Sequence, residues 1–256
     1  MISFYGDKVY VLGLKSNDNK KWRQRFIDYF GEEKLEFFMV DGVSSKINDG
    51  NENDNLWEIY KHNSTSAVSY DIFQNHIAII RKALSMDYKN IVILEEDTIF
   101  PDWNENKELR WKNTEEWLQK NEWDIFYLGY CNWPIPISFY RSKNIVKLMS
   151  PLCLHSYLLN YSGMTKILNH VENYEMDINI HIDKMMNQIP NFTKFGIYPM
   201  IGFQEKIPAL FKRGCKKMNI DFSFTQFCKY NETISIIIPV VFILILIYYV
   251  ISYLNF

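Results

Sequence analysis

Glu95, Glu96 and Asp97 stand directly after an apolar run, residues 91–94, in the stretch NIVILEEDTIF. A buried strand aimed at three adjacent carboxylates is unfavourable unless something positive meets it, because like charges repel and a half-buried carboxylate without a partner is costly. On an extended segment residues i and i+2 point to one side, so Glu95 and Asp97 are expected to converge while Glu96 faces away. Two convergent carboxylates suit a hard divalent cation, Mn²⁺ or Mg²⁺, which takes oxygen ligands. A cation held there, bridging the two phosphates of a nucleotide, would neutralise charge on a departing diphosphate. A solvated turn can also hold acids without any such role, so the surrounding elements have to decide.

The other residues with chemical potential each carry two readings. His76 lies on an apolar helix face and reads as a hydrogen-bonded core histidine or as a site residue. His155 precedes the strand that carries Tyr157. Asp183, in INIHIDKMM, is either a helix N-cap or a functional acid. Arg23 and Arg25 follow the first strand, where cations could meet a diphosphate or simply form a solvated helix face. Trp133, in CNWPIP, could stack on a sugar from a loop.

Elements that could position these residues follow from the hydrophobic pattern. VYVLGL, residues 9–14, reads as a buried strand, and KKWRQRFIDYFG places Trp22, Phe26, Tyr29 and Phe30 at helical spacing with Gly31 as a stop. LEFFMVDG is a second strand ending in the turn pair Asp41-Gly42, and residues 44–56 read as a polar surface loop. Residues 71–86 form a helix with Asp71 as its cap, leading into the strand that ends at the acids. An aromatic helix at 114–120 precedes a strand over WDIFYLGY, 123–130. A further strand-to-helix step covers 156–171. Strands alternating with helices predict an α/β fold with a largely parallel sheet, in which ligands bind beyond the carboxyl ends of the strands.

The net charge of −2 lacks the basic footprint of a nucleic-acid binder, so no nucleic-acid partner is expected. The four cysteines are far apart in sequence without zinc or CxxC spacing, which reads as free thiols in a reducing compartment. Residues 234–254 carry no charge over 21 positions, enough for a helix of about 31 Å across a bilayer core of about 30 Å. The expected organisation is a folded domain over 1–228 and a transmembrane anchor over 233–254. Basic residues before the anchor favour a cytosolic domain with an inserted tail. In that compartment the N-x-S/T triplets at Asn63, Asn160, Asn191 and Asn231 would stay unglycosylated. The abundance of Asn, Ile, Lys and Tyr suits an AT-rich genome such as that of a large DNA virus or a protist.

NHIAIIRKALSMDYKNIVILEEDTIF resembles the central motif of family-25 glycosyltransferases, the group that contains lipopolysaccharide and procollagen galactosyltransferases: a His-bearing helix, an apolar strand and an acidic triplet. VYVLGLKSNDNKKWRQRF, VDG, WDIFYLGY, CLHSYLLNYSGMTKIL and IHIDKMM…YPMIGFQ resemble that family's other landmarks in the same order, over roughly residues 8–205. The resemblance implies a GT-A fold, a Rossmann-like nucleotide-binding half joined to an acceptor half. It also implies a UDP-hexose donor, a divalent metal, a glycan or protein hydroxyl acceptor and inversion at the sugar carbon. Carried across by position, Glu95 and Asp97 are the metal ligands, and Glu96 and Asp183 are catalytic candidates. Leu14, Lys15, Arg23, Asp41, His76 and His155 are donor-binding candidates. Two positions depart from the family's pattern: Gly13 stands where Asn is usual, and Glu96 where a middle Asp is usual. The competing reading is a membrane-tethered, inactive transferase-like scaffold. A two-metal phosphohydrolase lacks the further His and Asp clusters it would need.

Overall fold

The structure, a computed structural model of the chain, describes residues 5–18, 20–43, 64–101, 103–132, 138–142, 144–173 and 181–205, with Ile2 and five positions near the C-terminus. Among the described residues the main sheet has eight strands in the order β2-β1-β3-β10-β5-β11-β8-β7. These are β1 (Lys8–Leu14), β2 (Leu35–Val40), β3 (Asn90–Glu95), β5 (Ile125–Tyr127), β7 (Ser138–Ser142), β8 (Ile145–Leu148), β10 (Ser156–Asn160) and β11 (Lys194–Ile197). Two short ladders stand beside it: β4 (Thr98–Ile99) with β12 (Phe203–Gln204), and β6 (Cys131–Asn132) with β9 (Pro151–Leu152). The helices are α1 (Lys20–Phe30), α2 (Ser64–Ser85), α3 (Glu105–Lys120), α4 (Tyr161–Asn173) and α5 (Ile182–Gln188).

The central strands are apolar on both faces because helices cover both. Along β1, Val9 and Val11 face α1 and α3, while Tyr10 and Leu12 face α2, α4 and α5. Along β3, Val92 and Leu94 join the first layer and Ile91 and Ile93 the second. Helix α1 forms because Trp22, Phe26 and Phe30 recur every fourth residue and are all buried. It stops at Gly31, whose φ of 76° frees its N–H to reach the Ile27 carbonyl at 2.8 Å.

The sheet is mixed and parallel-rich, with β10 and β8 running against the other strands. Strands β2, β1 and β3 run parallel, as do β5 and β11. Strand β10 enters antiparallel between β3 and β5, and β8 runs antiparallel to both β11 and β7. A short apolar run such as YLL in SYLLN fits a strand of either direction, so its pattern carries no information on orientation. Helix α2 begins at Ser64, seven residues before Asp71, which therefore sits inside the helix, 7% exposed, and is not its cap. Helix α3 likewise starts earlier than the aromatic pattern indicates, at Glu105, where the Asn104 side chain accepts from the Lys107 N–H at 3.1 Å. Strand β5 ends at Tyr127 because Gly129 turns against Gly202: a Cβ on Gly129 would lie 2.1 Å from the Gly202 carbonyl oxygen.

The predicted loop at 44–56, Trp133, and most of 233–254 lie outside the described residues. Within the last segment Ile237, Val240, Val241, Leu244 and Ile245 are helical and exposed. Among the described residues no helix is long and apolar enough to cross a membrane.

Candidate active site

The acids stand where the parallel trio β2-β1-β3 ends. Glu95 closes β3, pairs in register with Leu12 of β1, and donates its N–H to the His155 carbonyl at 2.8 Å. Its side chain continues the alternation of Ile91 and Ile93 and so points to the α2 face. There Oε1 lies 3.7 Å from His76 Nε2, and Oε2 accepts from Gln204 Nε2 at 3.4 Å. His76 is fully buried, and its Nδ1 shares a 2.7 Å hydrogen bond with the Tyr157 hydroxyl. With the proton on Nε2, Tyr157 donates to Nδ1 and the ring presents an N–H towards Glu95. Burial alone would raise the Glu95 carboxyl; the His76 ring, with His155 and Gln204, more than offsets it and holds the group below the ordinary glutamate range.

The chain turns immediately after Glu95. Glu96 and Asp97 belong to a turn leading into β4, so the two-residue alternation of an extended strand does not carry through to Asp97. Glu96 points back over the end of β1: its Oε2 accepts from the Leu14 N–H at 3.0 Å and its Oε1 from the Asn17 amide at 2.5 Å. Its backbone is fixed as well, the N–H donating to the Leu12 carbonyl and the carbonyl accepting from Arg25 Nη2 at 2.8 Å. The Asp97 carbonyl accepts from the Glu205 N–H at 2.7 Å, which ties the turn to the end of β12.

Two cavities meet at this turn, with Asn17, Glu96 and Asp97 lining both. One, about 380 Å³, lies on the α2 side between the ends of β1 and β2 and is walled mainly by apolar side chains; Glu95 also lines it. The other, about 540 Å³, lies beside the start of α1 and is polar, with Lys21, Arg25 and Glu205 on its wall.

The remaining candidates are distributed unevenly. Leu14 lines the apolar cavity. Lys15 and Asp41 form an exposed ion pair of 2.7 Å across the ends of β1 and β2. Arg23 is held by both oxygens of Asp18, at 2.5 and 2.7 Å, and lies over the Phe37 ring; it lines neither cavity, and Arg25 does instead. His155 is buried, with Nε2 3.4 Å from the Gly202 carbonyl, and burial pulls its imidazole below the usual range. Asp183 stands in the first turn of α5, where its Oδ2 accepts from the Cys153 N–H at 3.2 Å and its Oδ1 from the Lys184 N–H at 2.8 Å. It lines neither cavity. His181, not Asp183, holds the N-cap position, and its side chain makes no capping bond.

Several contributors carried no signal of their own in the sequence. Gln204 reaches Glu95 only because β12 folds back onto β4. Asn75 lies one residue before His76 and is buried in the wall of the apolar cavity. Cys131 and Cys153, 22 positions apart, come together because Cys131 pairs with Leu152 and Cys153 adopts a φ of 71°. The Cys131 thiol, followed by burial, pushes the Cys153 thiol well above its ordinary range. Among the described residues no three His, Cys, Asp or Glu side chains gather closely enough to hold a metal by themselves.

No protein family profile matches the chain, and no curated protein matches it. Several solved structures align weakly with the chain. A nucleoside-diphosphate-sugar pyrophosphorylase from Vibrio cholerae RC9 aligns at a TM-score of 0.40 and 7% identity, over 82% of this chain and 81% of that one. A197 from STIV aligns at 0.38 and 11% identity, over 78% and 86%. An apo UDP-glucose pyrophosphorylase aligns at 0.35 and 8% identity, over 74% and 72%. What this chain is follows from its own geometry: an α/β protein with a mixed eight-stranded sheet that ends in an acid-lined double cavity.

Proposed function

We propose that the chain is a metal-dependent glycosyltransferase of the GT-A type, related to family 25, that moves a hexose from a UDP-sugar to a hydroxyl of a glycan or protein. The observation that carries this reading is the acidic turn at the carboxyl ends of parallel strands β1 and β3, shared by an apolar and a polar cavity. Open α/β sheets bind ligands at that edge.

The donor set fits a metal completed by its substrate. Mg²⁺ or Mn²⁺ at a nucleotide is usually held by one or two carboxylates, with phosphate and water oxygens supplying the rest. Glu95 and Asp97 both line the apolar cavity. Bound there, the metal would offset the charge on the leaving nucleoside diphosphate.

The chain's own residues do the remaining work. His76 and Gln204 orient Glu95, and Tyr157 orients His76. Glu96 joins the acidic turn to the end of β1 through both of its oxygens. An acceptor hydroxyl oxygen forms the new bond to the anomeric carbon as the bond to the diphosphate oxygen breaks. The hydroxyl proton passes to a carboxylate base, a role that Asp183, which lines neither cavity, is not placed to take. Inversion follows from this single displacement. The apolar segment at 233–254 anchors the protein in a membrane, with the folded part cytosolic; the exposed, helical, apolar positions at Ile237, Val240, Val241, Leu244 and Ile245 support that.

The test is Asp97→Asn in the full-length chain. Metal-stimulated transfer should vanish with the melting temperature unchanged. Wild-type turnover in this variant would remove Asp97 from the metal site.

A further inference from the structure

The apolar cavity has two buried polar side chains on its α2 wall, Asp71 and Asn75. Asn75, on α2, is 9% exposed and lines the cavity wall, yet its amide makes no hydrogen bond with any described residue. Its neighbour His76 bonds Tyr157 through Nδ1, and its Nε2 lies 3.7 Å from Glu95. Burying an amide without a partner is unfavourable, and an apolar residue of similar shape would remove that disadvantage. A side chain kept in this state has its hydrogen-bonding capacity free for something that enters the cavity.

The walls say what kind of group that is. Ile72 and Val68 stand one and two turns before Asn75 on the same helix and, although part of a folded domain, are 39% and 47% exposed. Leu12 and Leu14 of β1 and Val40 and Val43, at and beyond the end of β2, line the cavity too. A sugar ring, polar on nearly every edge, would be poorly matched by such walls. A planar heteroaromatic ring buries its faces well against apolar side chains and needs partners only at its edge. An amide offers a donor and an acceptor side by side, which matches the paired carbonyl and N–H on the edge of a nucleobase. The cavity is also polarised along its length. Its α2 side holds the Asn75 amide, the buried Asp71 and aliphatic walls, and its other side holds Glu95, Glu96 and Asp97.

We propose that Asn75 reads the base of a nucleoside diphosphate, which lies in the apolar cavity with its base against α2 and its phosphates at the acidic turn. This rests on the nucleotide-sugar reading above and adds to it the residue that selects the base.

The test is calorimetry on the full-length chain in detergent with Mn²⁺, titrating UDP and, separately, inorganic pyrophosphate, in wild type and in Asn75→Leu. CDP, GDP and ADP are run on the wild type. The variant should melt no lower than wild type, since it replaces an unpartnered buried amide with an apolar side chain. It should bind UDP at least about tenfold more weakly, the equivalent of one hydrogen bond of about 1.4 kcal/mol, with pyrophosphate affinity unchanged. Unchanged UDP affinity in the variant, or an equal loss for UDP and pyrophosphate, overturns the assignment of Asn75. Should Asn75→Leu melt lower, Asn75→Ala supplies the same comparison, because it removes the amide without adding a charge or bulk. Wild type that binds none of the four nucleotides overturns the functional reading itself, and the proposal with it.

Discussion

Glu96 separates two accounts of the acidic triplet, because a catalytic base and a clamp respond differently to the same substitutions. Its carboxylate accepts from the half-buried Leu14 N–H at 3.0 Å and from the exposed Asn17 amide at 2.5 Å, and so spans from the turn after β3 to the turn after β1. Hydrogen bonds to a charged acceptor contribute about 1.5–3 kcal/mol each when shielded, and less when exposed, so the clamp is worth about 2–4 kcal/mol. For a domain of this size that corresponds to a fall in melting temperature of about 5–10 °C in Glu96→Ala. Glu96→Asp shortens the side chain by one C–C bond, about 1.5 Å, and cannot keep both contacts, so it should lose at least half as much. Glu96→Gln keeps one acceptor and should fall between wild type and Glu96→Ala. The assay is thermal unfolding of the four proteins side by side, with metal-dependent turnover measured on each. A base would behave otherwise: Glu96→Gln would leave stability untouched and reduce turnover by about 10²–10⁴. Glu96→Ala melting within a degree of wild type refutes the clamp.

Two further predictions concern the opposite end of the sheet, which holds the site elements in register. A Cβ on Gly163 would lie 2.1 Å from the Asp124 carbonyl oxygen, a contact with backbone that cannot rotate away. Gly163→Ala should therefore lower stability by about 3 kcal/mol or more, read as a shift of the urea midpoint; an unshifted midpoint contradicts it. Asp124, 3% exposed at its side chain, accepts from Lys166, Ser162 and Thr193. Burial alone would raise its carboxyl, but these partners outweigh burial and hold it below the ordinary aspartate range. Its folded pKa is thus lower than the unfolded value of about 3.9, so its contribution is complete above that value and is lost as pH falls through the folded one. Asp124→Asn should flatten the loss of stability between about pH 4 and the folded pKa; an identical acid limb would rule this out.

The parts of the fold that were legible in the sequence are those whose pattern has one physical solution. The runs at 9–14 and 91–94 are apolar on both faces because helices cover both, and a short run that is apolar throughout has few places in a fold other than a strand between two such layers. Trp22, Phe26 and Phe30 fix α1 in the same way, and Gly31 ends it. The direction of β10 was not legible, since the apolar run YLL in SYLLN fits a strand of either direction. Nor was the start of α2, because Ser64, Thr65 and Ser66 have weak helix propensity and the helix is carried by Ala67, Tyr70 and Phe73 packing on the core. In the candidate site the acids themselves stood out, but their division of labour did not. It depends on β3 ending at Glu95, which sends Glu95 to His76 and turns Glu96 back to Leu14. The partners that fix them, Asn17 and Gln204, arrive from 79 and 109 positions away. Local pattern has no access to contacts of that range. The same holds for Cys131 and Cys153, which sequence spacing separates and the β6–β9 ladder joins.

The central claim is that the acidic turn binds a nucleotide-sugar with a metal and releases the nucleotide. Nucleotide release from a panel of nucleotide-sugars tests it most directly, with the full-length chain in detergent, each donor run with Mn²⁺ and with EDTA, and Asp97→Asn in parallel. The account predicts release from a UDP-hexose with Mn²⁺, none with EDTA, and none from the variant. Silence across the panel, with no nucleotide bound in calorimetry, would contradict it and leave the acid-lined cavities of an inactive scaffold.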